Sequence, residues 1–228
     1  MISMLRQRWS RRGLKPGAKT RIDDGSRGVN RKLTRSFYHR PTLDVARGLL
    51  GKTIHYASKQ GNLAARIVEV EAYIGEDDPA CHAAPGPTAR NRVMYGRPGF
   101  SYIYFIYGMY HCFNIVTERK GFPAAVLLRA AEPVDGLEIM RARSPRSRPA
   151  TVLSGPGKFC RAFGLTTRHS GVDLTGNMIY LKDCPGSPGD IAVTRRVGIN
   201  RGADLPYRFL LADSAALSGP RAAGTRKK

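Results

Sequence analysis

Apolar residues recur along this chain with two different periods, and the first clear one lies at residues 41–51. There Leu43, Ala46, Leu49 and Leu50 fall at helical spacing with Gly51 to stop the helix. Residues 52–57 and 64–73 read as strands. Residues 74–100 hold four prolines and four glycines and predict a long irregular loop with room for one helical turn, the kind of loop that often carries function. Residues 102–116 are β-rich and aromatic, and residues 124–131 form a buried-looking apolar strand bearing one Arg. A helix follows at 157–164, then strands at 178–182 and 191–195. With no repeat or linker inside 37–213, the pattern predicts one α+β domain over that span. Residues 1–36 mix Gly, Ser, Pro and Arg without apolar periodicity, which predicts a disordered basic tail, and 214–228 reads as a second basic tail.

The 228 residues carry 38 Lys+Arg against 17 Asp+Glu, a formal +21, and 42% are hydrophobic with 8 Phe, 10 Tyr and 1 Trp, enough for a sizeable core. Residues 1–36 account for +9 and residues 219–228 for +4, so the rest still carries +8. A core that stays basic without its tails suggests a polyanion, since Lys and Arg replace the counterions condensed on a phosphate backbone. A merely solubilising surface is the plainer alternative.

The cysteines at 81, 112, 160 and 184 form no Cys-x-x-Cys pair and read as reduced thiols rather than metal ligands. The longest apolar run, 102–116, is too short to span a bilayer and contains His111 and Asn114, so no membrane is expected. The expected location is intracellular, the cytoplasm or nucleoid if the source is bacterial, with a nucleus or organelle left open. The Arg- and Ser-rich first residues fit an organellar transit peptide or a DNA-binding arm, and Asp23 and Asp24 then interrupt the pattern.

Two short motifs carry less than they promise. Ala46-x-x-x-x-Gly51-Lys52-Thr53 fits a relaxed phosphate loop, but a helix precedes the Gly and a β-branched run follows, the reverse of what phosphate cradling needs. Leu153-Ser-Gly-Pro-Gly-Lys158 resembles the hairpin of helix-hairpin-helix repair proteins, with Asp173 near the expected catalytic position. Gly155, Gly157 and Lys158 suit a phosphate contact whichever fold surrounds them.

The stronger chemistry lies in two strands. Over residues 66–73 the period of two puts Glu69, Glu71 and Tyr73 on one face and Val68, Val70 and Ala72 on the other. A solvent-facing acidic pair balanced by Arg is the default reading of such a strand. The loop beyond it, with His82 and the basic run Arg90-Asn-Arg92, argues for more. Residues 102–114 hold six aromatics, and Gly108 marks a turn that would put Tyr107 at a protruding tip while Tyr104 faces inward. Aromatics on a basic surface suit stacking on unpaired bases, whereas core packing accounts for Phe105, Ile106 and Phe113.

Taken together, residues 66–73, His82, residues 90–92, residues 102–114 and the run Val126-Leu-Leu-Arg-Ala-Ala-Glu-Pro133 resemble the alkyladenine (3-methyladenine) DNA glycosylase family, in the same order and at similar spacing, over roughly 37–213. The resemblance implies a curved, mostly antiparallel sheet with a protruding β-hairpin and peripheral helices. It implies a monofunctional enzyme, without metal or other cofactor, that acts as a monomer on double-stranded DNA containing damaged purines. Carried over by motif, Glu71 is the general base for water and Arg129 orients it. Tyr73, His82, Tyr104, Asn114 and Leu127 form the base pocket, with Asn114 excluding guanine's exocyclic amine. Tyr107 intercalates, and Arg90, Arg92 and Lys158 contact the DNA backbone. The alternatives are a helix-hairpin-helix glycosylase or lyase using Asp173, and a non-enzymatic basic DNA-binding protein.

Overall fold

One 14-residue strand organises the molecule. The computed structural model describes residues 31–220, and the expectations for residues 1–30 and 221–228 lie outside them. In chain order the elements are α1 (Arg35–Tyr38), α2 (Thr42–Leu49), β1 (Thr53–Ser58), β2 (Gly61–Ile74), β3 (Ser101–Ile106), β4 (Tyr110–Val116), β5 (Ala124–Asp135), α3 (Leu137–Arg143), α4 (Pro156–Phe163), β6 (Ile179–Lys182), β7 (Ile191–Thr194) and β8 (Arg208–Leu211), with a 3-10 turn at Arg92–Tyr95 inside the long loop. They build a curled eight-stranded sheet ordered β3-β4-β5-β2-β1-β6, and β8 joins β7 to β2. The strand pairings are antiparallel.

The alternation read from the sequence sorts the two faces. Val68, Val70 and Ala72 of β2, Phe113 and Ile115 of β4 and Val126 and Leu128 of β5 are buried in the main core, where Phe159 and Phe163 of α4 stack on each other with centroids 4.5 Å apart. On the opposite face a smaller cluster forms from Tyr102, Val116 and Ala125, covered by Cys81, Ala83 and Met94 of the long loop. That loop therefore covers the part of this face around Tyr73.

Helix α2 and the strands through β5 fall where expected. Gly51 follows the helix in the left-handed region (φ +79°), the place where a side chain is disfavoured, which confirms a stop signal and not a phosphate cradle. The helix-hairpin-helix reading fails, because the frame is a sheet and no described helix exceeds eight residues. The Gly155 N–H bonds Arg129 O and Leu153 O and is not exposed for a phosphate, and Gly157 lies in the first turn of α4, where a Cβ would come within 2.6 Å of Tyr110, so its smallness serves packing. Asp173 accepts hydrogen bonds from Arg35 and Thr175, a clamp on α1.

Three elements had no clear sequence signal: α1, α3 and β8. The fold also reaches past the expected boundaries. Leu33 is buried and its N–H bonds Leu181 O, while Ala216 is buried at the other end. Phe105 corrects another expectation. Its parity is that of the core face, but the β3–β4 hairpin runs beyond the core there, leaving Phe105 46% exposed against His111.

Candidate active site

Glu69 and Glu71 are fully buried, so the solvent-facing reading of this pair is wrong. A bulge explains how the sheet supplies their counterion. Glu69 pairs with Ala130 and Val70 with Leu128, leaving Arg129 of β5 as the extra residue. An extra residue at a bulge is free to be re-aimed. The Arg129 guanidinium spans both acids: Nε donates to Glu69 Oε1 and Nη1 to Glu71 Oε2, each at 3.1 Å. Burial alone would lower the Arg129 pKa, but the Glu71 and Glu69 charges outweigh it, and the guanidinium is held more firmly protonated than usual.

Glu71 is held from three directions. Its Oε2 also accepts the Tyr73 hydroxyl at 2.9 Å, and its Oε1 accepts the Val197 backbone N–H at 2.7 Å. Each carboxylate oxygen has two acceptor directions, so Oε1 keeps one unspent among these contacts. Burial, and then the neighbouring Glu71 charge, push the Tyr73 pKa well up, so the phenol remains a donor.

Tyr73, Arg129 and Val197, the groups that hold this carboxylate, also line a cavity of about 270 Å³, and Glu71 lies behind them, outside the lining. The expected residues Tyr73, His82, Tyr104, Asn114, Leu127 and Arg129 line it, and Tyr107 stands at its mouth. His82 and Tyr104 meet edge to face at 4.3 Å, and His82 Nδ1 bonds the Tyr102 hydroxyl at 2.9 Å. Burial and then the Arg90 charge lower the His82 pKa to about 4, so the ring is neutral at pH 7. Asn114 Nδ2 donates to Tyr102 O (3.0 Å) and Cys112 O (3.2 Å), which locks the amide in the cavity wall.

The hairpin tip is a tight turn. Tyr107 (φ +54°) and Gly108 (φ +66°) are both left-handed, and Met109 N–H bonds Ile106 O, the pattern of a type I′ turn. Asn or Gly is preferred at the Tyr107 position, so a bulky ring there costs on the order of 1 kcal/mol. The side chain is 75% exposed. Arg90 is exposed, donates to Phe105 O at 3.1 Å and lies over the Tyr104 ring, tying the long loop to the hairpin. Arg92 and Lys158 are exposed.

Sequence reasoning missed the segment 196–199. Val197, Gly198 and Ile199 line the cavity, and Val197 N–H touches Glu71 from 126 residues away. The only local hint was the Arg195-Arg196-Val-Gly198 run after a strand. It also missed Cys112 and Met94 in the cavity wall, and Arg208 and Ser218 behind it. Among the described residues, no group of three or more His, Cys, Asp or Glu is placed to hold a metal ion, and no helix is long and apolar enough to cross a membrane.

The family model for methylpurine-DNA glycosylase matches residues 36–215. A protein of Methanocella arvoryzae named "Putative 3-methyladenine DNA glycosylase" is 50% identical over 191 residues, covering 82% of this chain and 95% of that protein. Relatives of the same name from Alkaliphilus oremlandii and from Wolbachia pipientis subsp. Culex pipiens are 44% and 48% identical, covering 82% and 79% of this chain and 98% and 90% of their own.

Proposed function

The chain belongs to the methylpurine-DNA glycosylase family, and we propose that it flips alkylated or deaminated purines, of the 3-methyladenine type, out of duplex DNA and hydrolyses the N-glycosidic bond. The family makes it a DNA glycosylase acting on N-glycosyl bonds, with DNA as substrate. The observation that carries the mechanism is a buried carboxylate, Glu71, gripped by Tyr73, Arg129 and Val197 beneath an aromatic cavity.

In this reading the flipped base enters the cavity between the rings of Tyr73, His82 and Tyr104, with neutral His82 meeting the purine edge and Leu127 against its flat side. Asn114, locked at the wall, leaves no room for guanine's exocyclic amine. A water takes the unspent direction on Glu71 Oε1. As the bond from the anomeric carbon to the purine nitrogen breaks, its electron pair leaves with the base. The water oxygen bonds that carbon, and its proton passes to Glu71. The carboxylate also stabilises the oxocarbenium-like transition state, and Arg129 holds its orientation. The product is an abasic site in an unbroken strand. Tyr107 fills the space the nucleotide vacates, and Arg90, Arg92 and Lys158 meet phosphates without reading sequence.

The test is Glu71→Gln, assayed by single-turnover excision on duplexes bearing each lesion, with EDTA present and with borohydride in a parallel reaction. Excision is expected to vanish in the variant while lesion-DNA binding stays within a few-fold, since the amide keeps the shape but cannot accept the proton. Wild-type excision should survive EDTA, and borohydride should trap no protein–DNA adduct. A variant that retains excision would remove Glu71 from the reaction.

A further inference from the structure

We propose that Glu69 is a positioning residue for Glu71, acting through Arg129 and itself held in place by the C-terminal segment around Ser218. This rests on the reading of Glu71 as the general base. Neither motif resemblance nor charge pattern singled Glu69 out, yet it is the more heavily bonded of the two acids. Its Oε1 accepts from Arg129 Nε (3.1 Å), Arg208 Nε (2.8 Å) and Ser218 Oγ (3.0 Å), and its Oε2 accepts from Ser218 N–H (2.6 Å). With Arg129, Arg208 and Ser218 on it, Glu69 is held as an ion-pair partner inside the fold.

The geometry couples the two acids through one rigid plane. Arg129 offers Nε to Glu69 and Nη1 to Glu71, so fixing one edge of the guanidinium fixes the direction of the other. Arg208, paired with Glu71 across the β2–β8 ladder, puts its side chain on Glu69 instead and donates from Nη1 to Pro220 O. Ser218 closes the circle by also accepting from Arg129 Nε at 3.1 Å. Two buried carboxylates therefore meet two buried guanidiniums with no net charge. The remaining groups that face Glu71 are Tyr73 on its own strand, Cys112 on β4 and Arg196 on the loop before Val197.

Removing the Glu69 charge has two consequences with separable readouts. Arg129 loses its anchor, so the water and Glu71 drift from the attack line, and small misplacements cost on the order of ten- to a hundredfold in rate. The buried cluster also keeps a guanidinium without its carboxylate, which lowers stability, whereas Glu69→Asp keeps the charge.

The experiment measures single-turnover excision at saturating enzyme for the wild type and Glu69→Gln, Glu69→Asp, Ser218→Ala and Glu71→Gln, with lesion-DNA affinity and urea midpoint measured separately. Glu69→Gln should lose at least tenfold in rate, with affinity changed less than threefold. Glu69→Asp, which restores the charge, should recover part of the rate. Ser218→Ala, which leaves every charge in place and threatens folding least, should lower the rate several-fold without moving the affinity. A Glu69→Asp rate no better than that of Glu69→Gln, or wild-type behaviour in either Glu69→Gln or Ser218→Ala, would overturn the proposal. If Glu71→Gln stays active, the general-base reading fails instead, and the two outcomes are distinct.

Discussion

Arg196 grips Asp78 with both terminal nitrogens, Nη1 to Oδ2 at 2.6 Å and Nη2 to Oδ1 at 2.8 Å, and both side chains are buried. The same guanidinium donates to Ala72 O and Gly202 O and lies over the rings of Tyr73 and Tyr207. It thus fastens the loop that leads to His82 against the loop that presents Val197 to Glu71.

Breaking one side of a buried ion pair strands the other charge, at a cost of about 3–5 kcal/mol. Arg196→Met should therefore lower the urea midpoint sharply and slow excision. Arg196→Met combined with Asp78→Leu should regain much of the stability, because no charge is left unpaired, but less of the excision rate, because Val197 loses its tether. Urea melts and single-turnover rates on the single and double variants check both halves. Equal recovery of stability and rate would reduce Arg196 to a structural strut.

The His82 pKa, lowered to about 4 by burial and then by Arg90, makes a second prediction. An unfolded chain takes up this proton near pH 6.5, whereas the folded pocket resists it until about pH 4. The stability that His82 contributes is complete above pH 6.5 and drains away as pH falls from there toward 4. His82→Asn should accordingly lose less stability than the wild type between about pH 7 and pH 5. Denaturant midpoints across that range measure the difference, and parallel curves would contradict it.

Much of this was legible along the chain because it is local. Period-two alternation sorted β2 into its core and site faces, and the density of rings in 102–114 marked the hairpin that carries Tyr104 and Tyr107. What stayed hidden depends on partners far away. β8 is four residues long, and nothing in Arg-Phe-Leu-Leu announces that Arg208 will be buried, because the carboxylate that makes burial tolerable is 139 residues distant. Ser218 sits in a stretch whose composition reads as tail, and Val197 contributes a backbone N–H, which has no residue identity to detect. Phe105 erred the other way, since its parity was right but the core ends before it.

The N-terminal charge belongs to a third prediction. Residues 1–30 carry eight Lys+Arg and two Asp, while Leu33 and Arg35 just beyond are built into the fold. Deletion of 1–30, and no further, should weaken non-specific duplex binding and flatten its salt dependence while preserving excision at low salt. For every phosphate that goes unneutralised, the slope of log K against log salt becomes shallower by about 0.9. An unchanged slope would point to a targeting role for these residues.

Tyr107 is where mechanical and chemical roles can be separated most cleanly. Its left-handed backbone conformation suits Asn far better than a bulky ring, so Tyr107→Asn should form the turn at least as well as the wild type. Any loss of excision in that variant then belongs to the missing ring and not to a damaged hairpin. If the ring occupies the vacated stack, its removal forfeits about 1–3 kcal/mol of stacking, and the fraction of lesion held outside the helix should fall for both Tyr107→Asn and Tyr107→Ala. The defect should shrink on a bulged, unpaired lesion, where the cost of unstacking is already lower and the wedge has less to offset. Tyr104→Ala should show no such dependence, since a cavity wall meets the flipped base whatever pairing preceded it. Single-turnover excision with 2-aminopurine fluorescence on paired and bulged duplexes provides the comparison. Equal loss on both substrates for the Tyr107 variants would return this ring to a packing role.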